Sequence, residues 1–125
     1  MPIFRRWTEQ LKQVGPVAGG TGSWGGGGGY SVTVSGGVIT VTNPGIYAVT
    51  GEGGVADEID TINGGNSWDE IILYAADTDQ TITLKHATDN IQIGYDFNLD
   101  ANYDMARLIK RSDGIWVGGG IGDNA

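Results

Sequence analysis

The chain has 125 residues, no cysteine and a formal net charge of −8. This length fits a single domain, and the lack of cysteine excludes disulfides, thiolate metal sites and cysteine nucleophiles. The acidic composition disfavours nucleic acid as a ligand, because its phosphates would be repelled. No apolar run approaches the roughly 20 residues that cross a bilayer, and the first residues lack the apolar core of a signal peptide. We therefore expect a soluble protein that is made in a cytoplasm and binds no membrane.

Glycine is the most unusual feature of the composition, with 23 residues. The glycines have no three-residue period, which excludes collagen, and they gather in segments around a less glycine-rich middle. The sequence predicts three parts: an N-terminal attachment arm and glycine-rich linker at 1–29, a β domain at 30–117, and a glycine-rich C-terminal tail at 118–125.

The N-terminal arm begins with an amphipathic pattern. Apolar residues recur every three or four positions in residues 3–14, on one face of a helix: Ile3, Trp7, Leu11 and Val14. About three turns are too short for a stable isolated helix. The segment is therefore either a disordered end or a docking peptide, helical or extended, that orders on a partner. In the linker, Trp24 would anchor in a neighbouring protein or pack on its own domain.

Charge is distributed unevenly between the arm and the body. The arm is basic, whereas residues 15–106 carry twelve carboxylates and one cation, Lys85. We predict that the arm is the partner-binding part, through these residues: Ile3, Phe4, Arg5, Arg6, Trp7, Leu11 and Trp24. We expect residues 1–29 to be mobile in the free protein and to order on an acidic surface, either that of a partner protein or that of the body of an adjacent copy.

Residues 30–50 predict three short strands separated by two turns. Alternate apolar positions begin at Tyr30, and the Gly36-Gly37 pair predicts a hairpin. A second turn is expected at Asn43-Pro44-Gly45, because proline presets its own backbone angle and glycine tolerates positive φ. This region should form a meander.

Residues 55–117 contain short apolar-alternating runs, each closed by Asp, Asn or Gly. That spacing is typical of an all-β fold, here a small antiparallel β-sandwich, jelly-roll-like or barrel-like domain. A short helical turn is expected around 57–60 and a tight hairpin at Asp113-Gly114. The period of two predicts this core: Ile72, Tyr74, Ile82, Leu84, Ile91, Ile93, Phe97, Leu99, Leu108 and Trp116.

The sequence predicts no catalytic residue, no metal site and no cofactor. His86 is the only histidine, so a zinc site is implausible, and no serine has the context of a nucleophile. We expect His86 to be a surface or turn residue. The acidic pairs, such as Asp77 with Asp79, should cap turns, with a calcium site as the open alternative.

An ordered series of motifs carries a family resemblance. It starts with IDTINGG at 59–65, continues through IILYAA, TITLKH, NIQI and DFNLD, and ends with DGIW at 113–116. The series resembles a β-structured module of tail-fibre, tailspike and head-decoration proteins of tailed bacteriophages, over roughly half of the chain. The resemblance implies a homotrimer and a location in the virion, which assembles in the host cytoplasm. It also implies the major capsid protein or another virion protein as partner.

Three functions follow from these expectations. The first is a non-enzymatic virion protein, specifically a small trimeric capsid decoration or cement protein attached through its arm. The second is a tail-fibre or head-fibre knob that binds a receptor. The third is a carbohydrate-binding β-sandwich, suggested by five aromatic residues that we nevertheless expect mostly in the core: Trp68, Tyr74, Tyr95, Tyr103 and Trp116.

Overall fold

A computed structural model describes residues 29–101 and 103–122. In these residues the chain forms eleven strands and no helix, which confirms the all-β prediction. The strands are β1 (Tyr30–Thr33), β2 (Val38–Val41), β3 (Gly45–Thr50), β4 (Ala56–Ile59), β5 (Thr61–Gly64), β6 (Glu70–Ala75), β7 (Thr81–Leu84), β8 (Ile91–Gln92), β9 (Phe97–Leu99), β10 (Met105–Lys110) and β11 (Trp116–Gly122).

The strands form three sheets of mixed direction. A six-stranded sheet has the order β1-β3-β6-β10-β11-β8, beside the pair β2-β5 and the three-stranded sheet β4-β7-β9. Parallel pairing joins β1 to β3, β3 to β6, β2 to β5 and β4 to β7. Gly45 pairs with Ile71 and Ala56 with Thr81, so successive coils of the chain return to the same sheets. This stacking is the arrangement of a short β-solenoid rather than of the expected antiparallel sandwich.

Antiparallel strands complete one end of the stack. The strand β9 pairs with β7, and β10 pairs with both β6 and β11. The hairpin predicted at Asp113-Gly114 is confirmed: the Arg111 N–H donates to the Ile115 carbonyl at 2.8 Å, and Gly114 has a φ of 87°. The strand β11 continues to Gly122, through glycines that the sequence placed in a tail.

One local prediction is right for its turn alone, and another is wrong. The N–H groups of Ser35 and Val38 donate to each other's carbonyls at 2.9 and 3.1 Å, so Gly36-Gly37 forms the predicted two-residue turn. The antiparallel pairing ends at this bridge, because β1 and β2 lie in different sheets, so the turn is a corner of the fold and a longer hairpin does not follow. Both glycines have positive φ, which lets the chain bend but does not decide where the next strand pairs. The region 57–60 is not helical, because β4 extends over most of it and pairs with β7.

The core contains every predicted residue except Ile72 and Tyr74. In β6 the buried side chains are instead Ile71 and Leu73. Residues 71–76 are all apolar except for the tyrosine hydroxyl, so the sequence alone does not reveal which alternate set faces inward. Pairing with β10 decides it, since Leu73 lies opposite the buried Ala106.

The side chains of Asn90 and Trp116 hydrogen-bond the backbone of β5 at Ile62. The Asn90 side chain donates to the Ile62 carbonyl at 2.8 Å and accepts from the Ile62 N–H at 3.0 Å. The Trp116 indole N–H also donates to that carbonyl, at 3.2 Å. The amide side chain thus takes the place of a neighbouring strand and satisfies backbone groups that would be costly to leave unpaired.

Candidate functional site

The six-stranded sheet presents one buried face and one face with an apolar centre that keeps contact with solvent. The second, called here the outer face, carries side chains that alternate with the buried ones, and none of its apolar side chains is buried: Ile46, Ala48, Ile72, Tyr74, Met105, Ile109 and Val117. Polar side chains share this face, mainly towards its edges: Ser31, Thr33, Thr50, Glu70, Gln92 and Arg107. A sheet that is solvated on one side normally places polar residues there. An apolar outer face is instead typical of a surface that contacts another element or molecule.

One ion pair crosses the outer face. The Arg107 guanidinium contacts the Glu70 carboxylate, and Arg107 lies opposite Ile72 in the sheet. The Arg107 side chain is 55% exposed and that of Glu70 is 15% exposed. Solvent reaches the pair through the half-exposed Arg107 side chain and screens it, so the main effect of the pair is to place charges within a largely apolar surface.

A groove of about 560 Å³ lies at one end of the outer face. This tyrosine groove is lined by Ile46, Tyr74, Ala75, Ala76, Asp77, Thr78, Ala101, Tyr103, Asp104 and Met105. Tyr74 comes from β6, and Tyr103 comes from the loop between β9 and β10. As whole residues they are 37% and 79% exposed, so both offer surface to a ligand.

The loop that carries Tyr103 is held by a buried carboxylate. Asp104 is 1% exposed, and its carboxylate accepts hydrogen bonds from the N–H groups of Asp100 at 3.1 Å and Ala101 at 2.9 Å. Tyr103 has a φ of 73°, a sparsely populated conformation for a bulky residue. Such backbone strain persists only where surrounding contacts enforce it, and it is frequent at binding sites.

The chemistry of the tyrosine groove combines aromatic faces with negative charge. The exposed Asp77 belongs to the groove, and one of its carboxylate oxygens accepts from the Asp79 N–H at 2.9 Å. Aromatic rings next to a carboxylate suit a segment with aromatic and cationic side chains. They also suit a sugar ring, which stacks on an aromatic face and donates hydroxyl hydrogen bonds.

A second acidic surface lies beside Gly36-Gly37, where Asp57, Glu58 and Asp60 line a shallow notch. The Asp57 carboxylate accepts from the N–H groups of Glu52 at 2.6 Å and Glu58 at 2.8 Å. Within 29–101 and 103–122, no group of three or more His, Asp or Glu side chains is placed to hold a metal ion. The predicted turn-capping role is confirmed for Asp57 here, as it is for the Asp77 carboxylate in its own turn.

His86 lies in the turn after β7, as predicted, and its ring is used structurally. Its Nδ1 accepts from the N–H groups of Ile93 at 3.1 Å and Gly94 at 3.0 Å. The neighbouring Asp96 carboxylate accepts from the His86 N–H at 2.8 Å and pairs with Lys85 at 3.0 Å. The hydrogen bond from His86 and then the Lys85 charge lower the pKa of Asp96, and Asp96 raises the pKa of Lys85.

The aromatic residues correct the expectation that most of them lie in the core. Of the five, only Trp116 is buried, and four are exposed: Trp68, Tyr74, Tyr95 and Tyr103. Three of these four are followed directly by aspartate and lie in turns between strands, as in Ser67-Trp68-Asp69. That flanking by turn residues is a signal from which their exposure was predictable.

The predicted partner-binding residues lie outside the described residues: Ile3, Phe4, Arg5, Arg6, Trp7, Leu11 and Trp24. No protein-family model, no curated protein and no solved structure matches the chain. The likeness to phage β-modules therefore rests on the sequence motifs alone. In the part of the chain that the structure describes, no helix has the length and hydropathy to span a membrane.

Proposed function

We propose that the protein is a non-enzymatic virion structural protein, a small trimeric capsid decoration or cement protein of a tailed bacteriophage. It attaches through its N-terminal arm to the major capsid protein or to another virion protein. The observation that most supports this proposal is the apolar outer face of the six-stranded sheet, because it provides a broad docking surface on a compact body.

The outer face supplies the first part of the attachment. Its apolar side chains come from β3, β6, β10 and β11, so the surface is wide and is held by a hydrogen-bonded sheet. Covering it with a flat partner surface removes apolar area from water, at roughly 25 cal/mol per Å² before the costs of association. Such a face favours a protein partner over a small molecule.

Charge supplies the second part. The described residues carry four Lys or Arg and thirteen Asp or Glu, whereas residues 1–28 carry three basic residues and one acidic residue. A basic arm is attracted to an acidic particle surface that repels the acidic body, so it offsets this repulsion when the outer face docks. Several weak contacts, multiplied by trimerisation, hold the protein firmly.

Co-sedimentation with particles that were assembled without this protein tests the proposal. The full chain should sediment with the particles, and Ile72→Lys, which places a charge on the outer face, should reduce binding at least tenfold. Asn98→Lys is the matched control, since Asn98 is exposed on β9 in another sheet, and it should bind like the unaltered chain. Particles that retain no full-length protein would contradict the proposal.

A second candidate, carbohydrate binding, is favoured by the exposed aromatic residues. Tyr74 and Tyr103 flank a groove that also contains Asp77, which is a plausible arrangement for one sugar ring. A glycan array with the full chain tests this function, with Tyr103→Ala as the variant that should lose binding. A tail-fibre or head-fibre knob that recognises a receptor glycan would also bind on the glycan array. Co-sedimentation with particles distinguishes a decoration protein from these glycan-binding functions.

A further inference from the structure

The described chain begins beside the tyrosine groove. Gly29 lies against the backbone of Ile46, so closely that a Cβ atom at Gly29 would be 2.9 Å from the Ile46 carbonyl oxygen. Ile46 is a residue of the outer face and also lines the groove. Residues 1–28 therefore join the body next to the outer face.

The composition of the arm complements that surface. Its apolar residues recur at helical spacing over residues 3–14, and Arg5 and Arg6 accompany them. The groove offers two exposed tyrosines, the Met105 side chain and the Asp77 carboxylate. Aromatic and apolar side chains match the rings and the thioether, and the guanidinium groups match the carboxylate.

We propose that residues 3–14 dock on the body of their own chain, over the outer face with their aromatic residues at the tyrosine groove. This gives the sheet the second layer that an apolar face ordinarily has. The proposal replaces the expectation of a mobile arm in the free protein.

The linker makes docking within one chain favourable. Residues 15–28 are rich in glycine. Glycine-rich tethers of such length generally keep the groups that they join at millimolar effective concentration. Weak contacts then suffice for docking, and the arm of a separate molecule at micromolar concentration competes poorly. Fully extended, the linker would span up to about 50 Å, far more than is needed to return to a groove beside Gly29.

Paramagnetic broadening in the full chain tests the docking. Because the chain has no cysteine, Pro2→Cys gives a single site for a nitroxide spin label. The two methionines are Met1 and Met105, so methyl labelling of methionine reports the arm end and the groove separately. We expect the Met105 signal to lose more than half of its intensity, and to recover when the nitroxide is reduced.

Variants assign the broadening to the tyrosine groove. Tyr74→Ala combined with Tyr103→Ala should restore most of the Met105 signal, whereas Tyr95→Ala should not, since Tyr95 packs against Phe97 and lines no part of the groove. These tyrosines are exposed, so their truncation should leave the fold intact. A Met105 signal of full intensity, or one that the groove variants leave unchanged, overturns the proposal.

A mixed sample identifies whose arm is docked. Spin-labelled chains without isotope and methionine-labelled chains without the nitroxide are unfolded together in urea and refolded, so that mixed trimers contain both kinds of chain. Broadening of Met105 in this mixture would show that the groove takes the arm of a second copy, and would overturn docking within one chain. We expect no broadening in the mixture. If the spin-label experiments show no docking but the full chain still sediments with the particles, the docking proposal is wrong and the proposed function remains.

Discussion

At the scale of single residues, burial at alternate strand positions determines which substitutions are costly. Leu84 in β7 is 0% exposed, whereas Val55, just before β4, is 77% exposed. Both are aliphatic, so they separate the effect of burial from that of side-chain type. Leu84 belongs to a core that is formed by side chains from all three sheets.

Truncation of Leu84 to alanine should cost roughly 2–5 kcal/mol in the free energy of unfolding, from lost burial and the cavity that remains. Val55→Ala should change it by less than about 0.5 kcal/mol. Urea unfolding of both variants measures the difference. A loss below about half a kcal/mol for Leu84→Ala would place that side chain on the surface.

The ion pair of Asp96 with Lys85 predicts a dependence of stability on pH. The pKa of Asp96 lies below its ordinary value of 3.8, so its contribution is present above that value and is lost as pH falls through the lowered pKa. The pKa of Lys85 is raised above 10.5, so its contribution is lost only as pH rises beyond that value.

Asp96→Asn should therefore lower stability at neutral pH, and its unfolding curve should converge with that of the unaltered chain as pH falls below about 3.8. Urea unfolding between pH 2 and 7 measures the gap. If the gap is the same at every pH, the carboxylate charge is not its source.

The sequence predicted most of the core residues. It did not predict which side chains of β6 are buried, or that four of the five aromatic residues are exposed. Strands with a polar partner at every second position, such as Ile82 and Leu84 between threonines, reveal their buried face. In β6 the polar alternation is missing, and only pairing with β10 decides between Ile71 and Ile72. The exposed aromatics were misplaced because residue type was given more weight than the neighbouring turn residues.

At the scale of elements, the glycines of β11 show how tightly strand and core fit. A Cβ atom at Gly120 would collide with the ring of Phe97, which is 4% exposed and fixed within the core. A Cβ atom at Gly119, on the opposite face of the same strand, would meet nothing within 4 Å. The two positions form a matched pair for one substitution.

Gly120→Ala should destabilise the protein by about 1–3 kcal/mol, because Phe97 must leave its preferred position. Gly119→Ala should be neutral within about 0.5 kcal/mol. Thermal unfolding of both variants compares them. Equal effects at the two positions would show that β11 does not pack against Phe97 in this way.

Element types were predictable, but strand partners were not. The turn residues correctly marked where strands end, as at Asp77-Thr78-Asp79 between β6 and β7. The same turn-forming residues occur at a corner of a solenoid and in a hairpin between paired strands. Gly36-Gly37 forms such a turn, but the strands on its two sides pair elsewhere. Parallel pairing joins segments that are distant in sequence, such as β3 with β6, so no local pattern reports it.

At the scale of the whole molecule, the resemblance to phage modules predicts a trimer. The chain has a mass of 13.1 kDa. If the resemblance holds for assembly, light scattering of the purified protein should give about three times that mass. A stable monomer with affinity for sugars would favour the carbohydrate-binding alternative.

The most direct test of the account is attachment through the arm. Deletion of residues 1–24 removes the basic and apolar segment and leaves β1, which begins at Tyr30, in place. We expect a circular dichroism spectrum that retains the β signal, together with co-sedimentation reduced to background on particles assembled without the protein. A truncated chain that binds these particles as tightly as the full chain would contradict attachment through the arm.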